Sequence, residues 1–186
     1  EGKFTILSVG RLAREKRHDL LIEAIRKSRH EGRIQLVILG DGPQKARLEE
    51  LGKVLTHAPV FRWLKPQELI RYYGGADLCV HAADVEVECM SVLEAMACGL
   101  PCVSADSPLS ATPQFAISPD FLFPTGDREA LTARIDRWID DPEGLARARE
   151  GYRQAAERYR IEASLEKLVA LYRKVIRALL FKPAIR

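Results

Sequence analysis

The 186-residue sequence predicts an α/β fold: a doubly wound, mostly parallel sheet followed by helices at its C-terminal end. Three observations carry that expectation. Short, wholly apolar runs recur along the first two thirds, and two of them, "FTILSVG" and "IQLVILG", stop at a glycine. Between the runs lie stretches whose apolar residues recur at steps of three and four, the period of a helix buried on one face. After Asp127 the strand-like runs stop and only helical spacing remains. Strands that are apolar on both faces, alternating with amphipathic helices, belong to a parallel sheet covered on both sides.

Taken in order, residues 4–10 form the first strand, and "HDLLIEAIRKS" (18–28) is a helix with Leu20, Leu21, Ala24 and Ile25 on its inner face. Residues 34–40 repeat the strand, and "DGPQKARLEELGKVL" starts a second helix behind Pro43. "APVFRWL" is a short strand, and "PQELIRYYGGA" a brief helix that opens at Pro66 and closes at Gly74 and Gly75, the positions where helices favour proline and glycine. "DLCVHAA" (77–83) is a strand, "MSVLEAMACG" a helix closed by Gly99, "PCVSA" (101–105) a strand, and "FLFP" (121–124) the last one. Then "REALTARIDRWID" sets Leu131, Ile135, Trp138 and Ile139 on one face, and Pro142 restarts a helix to about Tyr159. A final helix, about 162–181, carries Leu165, Leu168, Val169, Tyr172, Val175, Ile176 and Leu179 in a stripe that needs a partner.

Composition narrows the function classes. With 47% hydrophobic and 30% charged residues the chain can bury one sizeable core. It has no run of apolar residues long enough to span a bilayer and no charged-then-apolar leader, so the expected compartment is the cytoplasm. The chain opens without methionine and almost at once in a strand, which reads as a piece of a longer protein. Cys79, Cys89, Cys98 and Cys102 form no pair of C-x-x-C knuckles, so reduced, packed thiols are expected and a metal is not. Net charge is +3, but residues 147–186 hold 11 Lys or Arg against 4 Glu. That basic tail suits an anionic membrane surface or an acidic partner domain, and equally a solvated helix face.

In an open parallel sheet, ligands bind where strand ends lead into helix N-termini. "GRLAREK" after the first strand offers Arg11 and Lys16, and "ADVEVEC" leads into a helix at about Met90. Two cations facing a helix N-terminus suit a diphosphate, since they add charge and donors to the helix amides. "GRLAREK" lacks the glycines of a dinucleotide fingerprint and "GDGPQKA" lacks the G-K-[ST] ending of a P-loop, which disfavours nicotinamide and P-loop chemistry. Glu94, one turn into the helix, can accept the hydroxyls of a ribose, and Glu86, in the loop before it, faces whatever lies beyond the phosphates.

These motifs together resemble the C-terminal, nucleotide-sugar-binding domain of retaining glycosyltransferases of the GT-B fold, family 4. The resemblance runs from about residue 3 to 180, through "SVGRLAREK", "LGDGP", the Glu86 to Glu94 spacing and "LEAMACGLPCV". More narrowly, "HAADVEVECMSVLEAMACGLPCVSADSPLSATPQFA" looks like bacterial lipid glucosyltransferases of the cholesterol α-glucosyltransferase type. The resemblance implies a Rossmann-like half of a GT-B fold in which Arg11 and Lys16 hold the diphosphate, Glu94 the ribose and Glu86 the donor sugar. Amides near Met90, Ser91 and Val92 would meet the distal phosphate, and Phe61, Arg62 and Trp63 would flank the base. It implies a UDP-sugar donor, UDP-glucose first, a lipid or sterol acceptor, no metal or other cofactor, and no nucleic acid. Residues 1–160 then form the donor domain, and 161–186 a helix packing toward an N-terminal acceptor domain of the same protein, at the inner face of the cytoplasmic membrane.

The sequence departs from common family text where Val87-Glu88-Cys89 replaces Gly-Phe-Gly, which leaves the donor sugar open between glucose, galactose and N-acetylglucosamine. Several residues admit two readings. Arg11 and Lys16 taken singly read as surface charges, and Glu94 as a helix-dipole residue. His81 is a packed polar residue or a sugar contact, Trp63 a base platform or core, and Glu88 a hydroxyl ligand or a solvated acid. "SPLSATPQF" (107–115) reads as a loop at the rim of the same crevice. The basic stripe that ends in Phe181 and Lys182 packs on the partner domain or touches a leaflet. The rival functions are transfer to cell-wall or capsular polysaccharide, epimerisation of UDP-sugars, and a non-catalytic nucleotide-sugar-binding module.

Overall fold

The computed structural model describes residues 2–180. Phe181 and Lys182 and the side chain of Leu179 lie outside the described residues. The elements are β1 (Phe4–Val9), α1 (His18–Lys27), β2 (Ile34–Leu39), α2 (Lys45–Gly52), β3 (Val60–Arg62), α3 (Pro66–Gly75), β4 (Leu78–His81), α4 (Met90–Ala97), β5 (Cys102–Asp106), β6 (Leu122–Pro124), α5 (Arg128–Asp140), α6 (Pro142–Ala156) and α7 (Ile161–Leu180). The six strands form one sheet in the order β3-β2-β1-β4-β5-β6, with every neighbouring pair parallel.

The apolar runs explain the arrangement. β1 and β2 pair along their whole length, Phe4 opposite Ile34 through Val9 opposite Leu39, and Ile6, Leu7, Leu36 and Ile38 are fully buried. Such strands need cover on both faces. Helix α1 packs against α5, and α4 against α6. Phe121 stacks on Trp138 with ring centroids 4.3 Å apart and meets Tyr152 edge-on, which fastens α5 and α6 beside β6. From β1 the chain winds outward to β2 and β3, then returns to β4 and winds the other way to β5 and β6. The switch point therefore lies between the C-terminal ends of β1 and β4, where this kind of sheet leaves a crevice.

Two elements differ from the sequence reading. Helix α2 starts at Lys45 and stops at Gly52, inside the expected stretch. The preceding turn is claimed by the β1 loop, since Leu12 N–H donates to Asp41 O at 2.9 Å and Gln44 N–H to Leu12 O at 2.9 Å. At its other end Gly52 lies under Pro59, so close that a Cβ there would come within 2.6 Å of the proline ring. Helix α6 ends at Ala156, and Glu157–Tyr159 form a 3₁₀ turn instead of a continuation.

Helix α7 carries the expected stripe, but the domain does not cover it. Leu165, Leu168, Val169, Tyr172, Val175 and Ile176 are 42% to 59% exposed. No helix among the described residues is long and apolar enough to cross a membrane.

Candidate functional site at the sheet switch point

Two loops wall the crevice, residues 10–17 after β1 and 82–89 after β4. Each ends in a non-glycine residue with left-handed backbone at the N-cap of the next helix, Arg17 (φ 51°) before α1 and Cys89 (φ 50°) before α4. That conformation costs about 1–3 kcal/mol per residue and persists only where surrounding contacts enforce it. The contacts are present. The Arg17 guanidinium donates to both carboxylate oxygens of Asp84, at 3.2 and 2.9 Å, and Asp84 N–H donates to Glu15 O at 2.9 Å. The two loops are thereby one unit.

The segment 107–111 clamps the second loop from outside. Ser107 Oγ donates to Asp84 O at 2.6 Å, Glu86 N–H donates to Leu109 O at 3.2 Å, and Ala111 N–H to Glu86 O at 2.9 Å. The hydroxyl-rich stretch read as a rim loop thus fixes the backbone of Glu86. Its side chain is then held from within by Lys16 Nζ, which forms an ion pair with Oε2, and by His81 Nε2 at 3.3 Å from the same oxygen. His81 Nε2 also lies 3.4 Å from Cys89 Sγ. The side chains of Lys16 and Glu86 keep only 16% and 17% of their surface exposed, so the pair is largely shielded from water.

This setting shapes the charges. The bond from His81, with Lys16 beside it, holds the Glu86 carboxyl at about 2, against the burial that would raise it. Burial lowers His81, but its bonds to Cys89 and Glu86 outweigh that and leave it raised. Glu86 is therefore an anion and acceptor over the ordinary pH range, suited to holding hydroxyl hydrogens.

Of the other residues singled out from sequence, Arg11 follows β1 in the same loop as Lys16. It lines a cleft of about 320 Å³ together with Gly10, Gly40, Asp41, Trp63 and Leu69. Trp63 is 70% exposed there, which removes the core reading and leaves a face open to the cleft. Arg62 ends β3, exposed, with its carbonyl accepting from Gly40 N–H at 2.8 Å. At the start of α4, Met90 is exposed, Ser91 half-buried and Val92 buried. The Val92 amide donates to Cys89 O at 3.0 Å, within the first turn of α4. Glu94 is exposed on α4, and one of its oxygens accepts from the Tyr73 hydroxyl at 2.8 Å. Glu88 and Val87 are exposed.

Sequence reasoning missed Tyr73, Arg17, Asp84 and the Cys89 contact. The "YYGG" at the end of α3 offered Tyr73 as a buried aromatic, but nothing local paired it with a carboxylate 21 residues on. Burial, with the Glu94 bond next, raises the Tyr73 hydroxyl far above its ordinary range, so it serves as a donor only.

One buried group beside the crevice has a measurable consequence. His18 packs with Nδ1 3.3 Å from Ser8 Oγ, while its Nε2 is buried without a partner. Burial lowers its pKa to about 4; His81 and Lys16 push the same way, and Asp19 and the Arg11 backbone only partly oppose them. The unfolded chain takes up this proton near 6.5, before the folded one does, so stability is full above that pH and is lost as pH falls toward 4. The loss approaches roughly 3 kcal/mol at one unit of pKa per 1.4 kcal/mol. Urea unfolding of the wild type and His18→Gln at pH 7 and pH 5 should show a steeper fall in the wild type; equal falls would refute the assignment.

A six-stranded parallel sheet in this order, with a charged crevice at its switch point, defines a Rossmann-like class of domain. The sequence model of the family described as "Glycosyl transferases group 1" matches residues 1–158, and the chain belongs to that family, with the fold of a GT-B half. The catalytic domain of cholesterol-alpha-glucosyltransferase from Helicobacter pylori superposes with a TM-score of 0.82 at 35% identity, covering 84% of this chain and 99% of that one. A GDP-mannose-dependent alpha-mannosyltransferase of Mycobacterium tuberculosis is 35% identical over 163 residues, 85% of this chain and 38% of that protein. An alpha-monoglucosyldiacylglycerol synthase of Streptococcus pneumoniae is 30% identical over 112 residues, 58% of this chain and 25% of that protein. The chain thus spans well under half the length of these two curated relatives.

Proposed function

We propose that this chain is the donor-binding half of a retaining hexosyltransferase that moves glucose from UDP-glucose to a lipid or sterol acceptor at the inner face of the cytoplasmic membrane. The observation that carries the reading is the shielded Lys16–Glu86 pair at the switch point, in a chain 35% identical to nearly all of a catalytic domain named for glucosyl transfer to cholesterol. Arg11 and Lys16 take the diphosphate, Glu94 the ribose, Trp63 and Arg62 the base, and Glu86 the hydroxyls of the donor sugar. As the glycosidic bond to the diphosphate breaks, negative charge grows on the leaving oxygens, and the two cations with the Met90 and Ser91 amides stabilise it. The acceptor attacks from the face that the diphosphate leaves, so the anomeric configuration is kept, and no metal or other cofactor takes part. Lys16 turns from Glu86 to phosphate when the donor enters, which frees Glu86 for the sugar.

The acceptor site belongs to an N-terminal domain of the same protein, and the exposed stripe of α7 packs toward it. Residues 1–160 then form the donor domain and 161–186 the connection. This chain alone binds nucleotide but turns over poorly; efficient transfer by the isolated chain would refute that division.

A second reading, a GDP-mannose donor, is favoured by the mycobacterial relative. Calorimetric titration with UDP, GDP, UDP-glucose, UDP-galactose and GDP-mannose separates the two. Uridine-selective binding, weakened in Glu94→Ala, is the expected result, whereas guanosine-selective binding would sink the UDP reading. The same titration tests Tyr73. Losing the hydroxyl that steers Glu94 should weaken nucleotide binding in Tyr73→Phe by roughly 5- to 10-fold, about the net worth of one ordinary hydrogen bond at this exposed carboxylate. Unchanged affinity in Tyr73→Phe beside weakened binding in Glu94→Ala would mean that Glu94 needs no steering.

A further inference from the structure

We propose that the base of the crevice holds an inhibitory zinc site, in which His81 Nε2, the Cys89 thiolate and a Glu86 carboxylate oxygen bind one zinc-class divalent ion and withdraw Glu86 from the donor sugar. The binding half of this inference stands on geometry alone; the inhibitory half rests on the donor reading above.

The ligand atoms already lie near the edges of a tetrahedron. His81 Nε2 is 3.3 Å from Glu86 Oε2 and 3.4 Å from Cys89 Sγ. Ordinary zinc bond lengths at tetrahedral angles put those edges at about 3.4 and about 3.6 Å. The sulfur-to-oxygen edge, no longer than 4.8 Å, is the one that an ion would draw in, through rotation of the Glu86 side chain. The other two ligands are fixed. His81 is the last residue of β4, 4% exposed, and the left-handed turn at Cys89, 3% exposed, brings its sulfur beside that ring.

The chemistry of the set chooses the ion. One imidazole nitrogen, one thiolate and one carboxylate suit zinc, whereas magnesium and calcium take oxygen ligands. Binding takes the proton from the Cys89 thiol, and any second proton that the His81 imidazole carries, and releases them to solvent, with no change of oxidation state. The fourth position is left to a water or another oxygen ligand. Lys16 shares Oε2 of Glu86 in the structure, so the ion must compete with that ammonium and displaces it when it binds. Lys16 and Glu86 are both proposed donor ligands, which makes the ion and the nucleotide sugar antagonists.

The test uses the full chain freed of metal with a chelator. Cobalt(II), as a coloured stand-in, is titrated while absorbance is followed, and zinc is titrated by calorimetry in two buffers of different ionisation enthalpy. The expected result is one ion per chain, a sulfur-to-cobalt charge-transfer band and release of at least one proton, the excess over one shrinking as pH rises. The band should vanish in Cys89→Ser and persist in Cys98→Ser, and affinity should fall at least ~10-fold in His81→Gln. No binding at micromolar zinc by a folded chain, or a band that survives Cys89→Ser, would overturn the site. If Cys89→Ser fails to fold, unchanged zinc affinity in His81→Gln overturns it instead. Zinc should then weaken UDP-glucose binding at least ~10-fold, and equal donor affinity with and without a bound ion would overturn the inhibitory role. Failure of every nucleotide sugar to bind the zinc-free chain would remove that role along with the donor reading, while the cobalt spectra still decide the ion site.

Discussion

Glu86→Gln in the intact transferase should lower kcat/KM by on the order of 100-fold while the protein remains folded, though less stable for the loss of the charge that Lys16 and His81 meet. The substitution preserves shape and leaves the backbone clamp on Leu109 and Ala111 untouched, because those bonds use the main chain. What it removes is charge at an oxygen that meets both Lys16 and His81. A neutral amide accepts sugar hydroxyls more weakly. It also no longer opposes the Lys16 ammonium, which shifts toward the diphosphate, so nucleotide affinity should hold or rise as transfer falls. That opposite movement distinguishes a sugar-contacting carboxylate from a merely structural one. Transfer within 3-fold of wild type by a folded Glu86→Gln protein would end the assignment, and Lys16→Ala, which should weaken UDP binding and transfer together, provides the contrasting case.

The second large effect is structural. Gly40→Ala should destabilise the domain by about 3 kcal/mol or more, at the upper end of overpacking costs. A Cβ on Gly40 would lie 1.9 Å from Gly10 O and 2.9 Å from Gly10 C. Neither atom can yield, because Gly10 N–H is bonded to Leu39 O and Gly40 N–H to Arg62 O, at 2.9 and 2.8 Å. The same two glycines line the cleft beside Arg11 and Trp63, so the change should loosen the site as well. Gly74→Ala is the control, since nothing lies within 4 Å of a Cβ there and the residue sits in α3. It should be neutral or stabilising by up to about 1 kcal/mol. Urea unfolding reads both, and a loss below 1 kcal/mol for Gly40→Ala would show that β1 and β2 separate more easily than their six paired residues suggest.

The glycine result also marks how far local text could be read. That strands end at Gly10 and Gly40 followed from the repeated pattern, but their pairing side by side and the reason each is glycine, a backbone contact across 30 residues, did not. The same division runs through the site. Glu86 and Glu94 stood out by spacing along one loop and one helix, where the structure has them, Glu86 half-buried and Glu94 exposed. Their partners were not legible: Tyr73 reaches Glu94 from α3, and Lys16 reaches Glu86 across 70 residues. Trp63 could be read as core or platform until the end of β3 placed it in the open.

By itself the sequence determined the parallel sheet, the order of its elements and the loops that carry the charged residues, because apolar period and turn chemistry act over a few residues at a time. Only the tertiary structure decided that Arg11 shares a cleft with Trp63, that Glu86 is held by Lys16 and His81, and that the stripe of α7 is left uncovered. Those outcomes depend on which strand ends the crossovers bring together, and the free energy that selects them comes from burying the whole sheet, to which no single motif contributes more than a part.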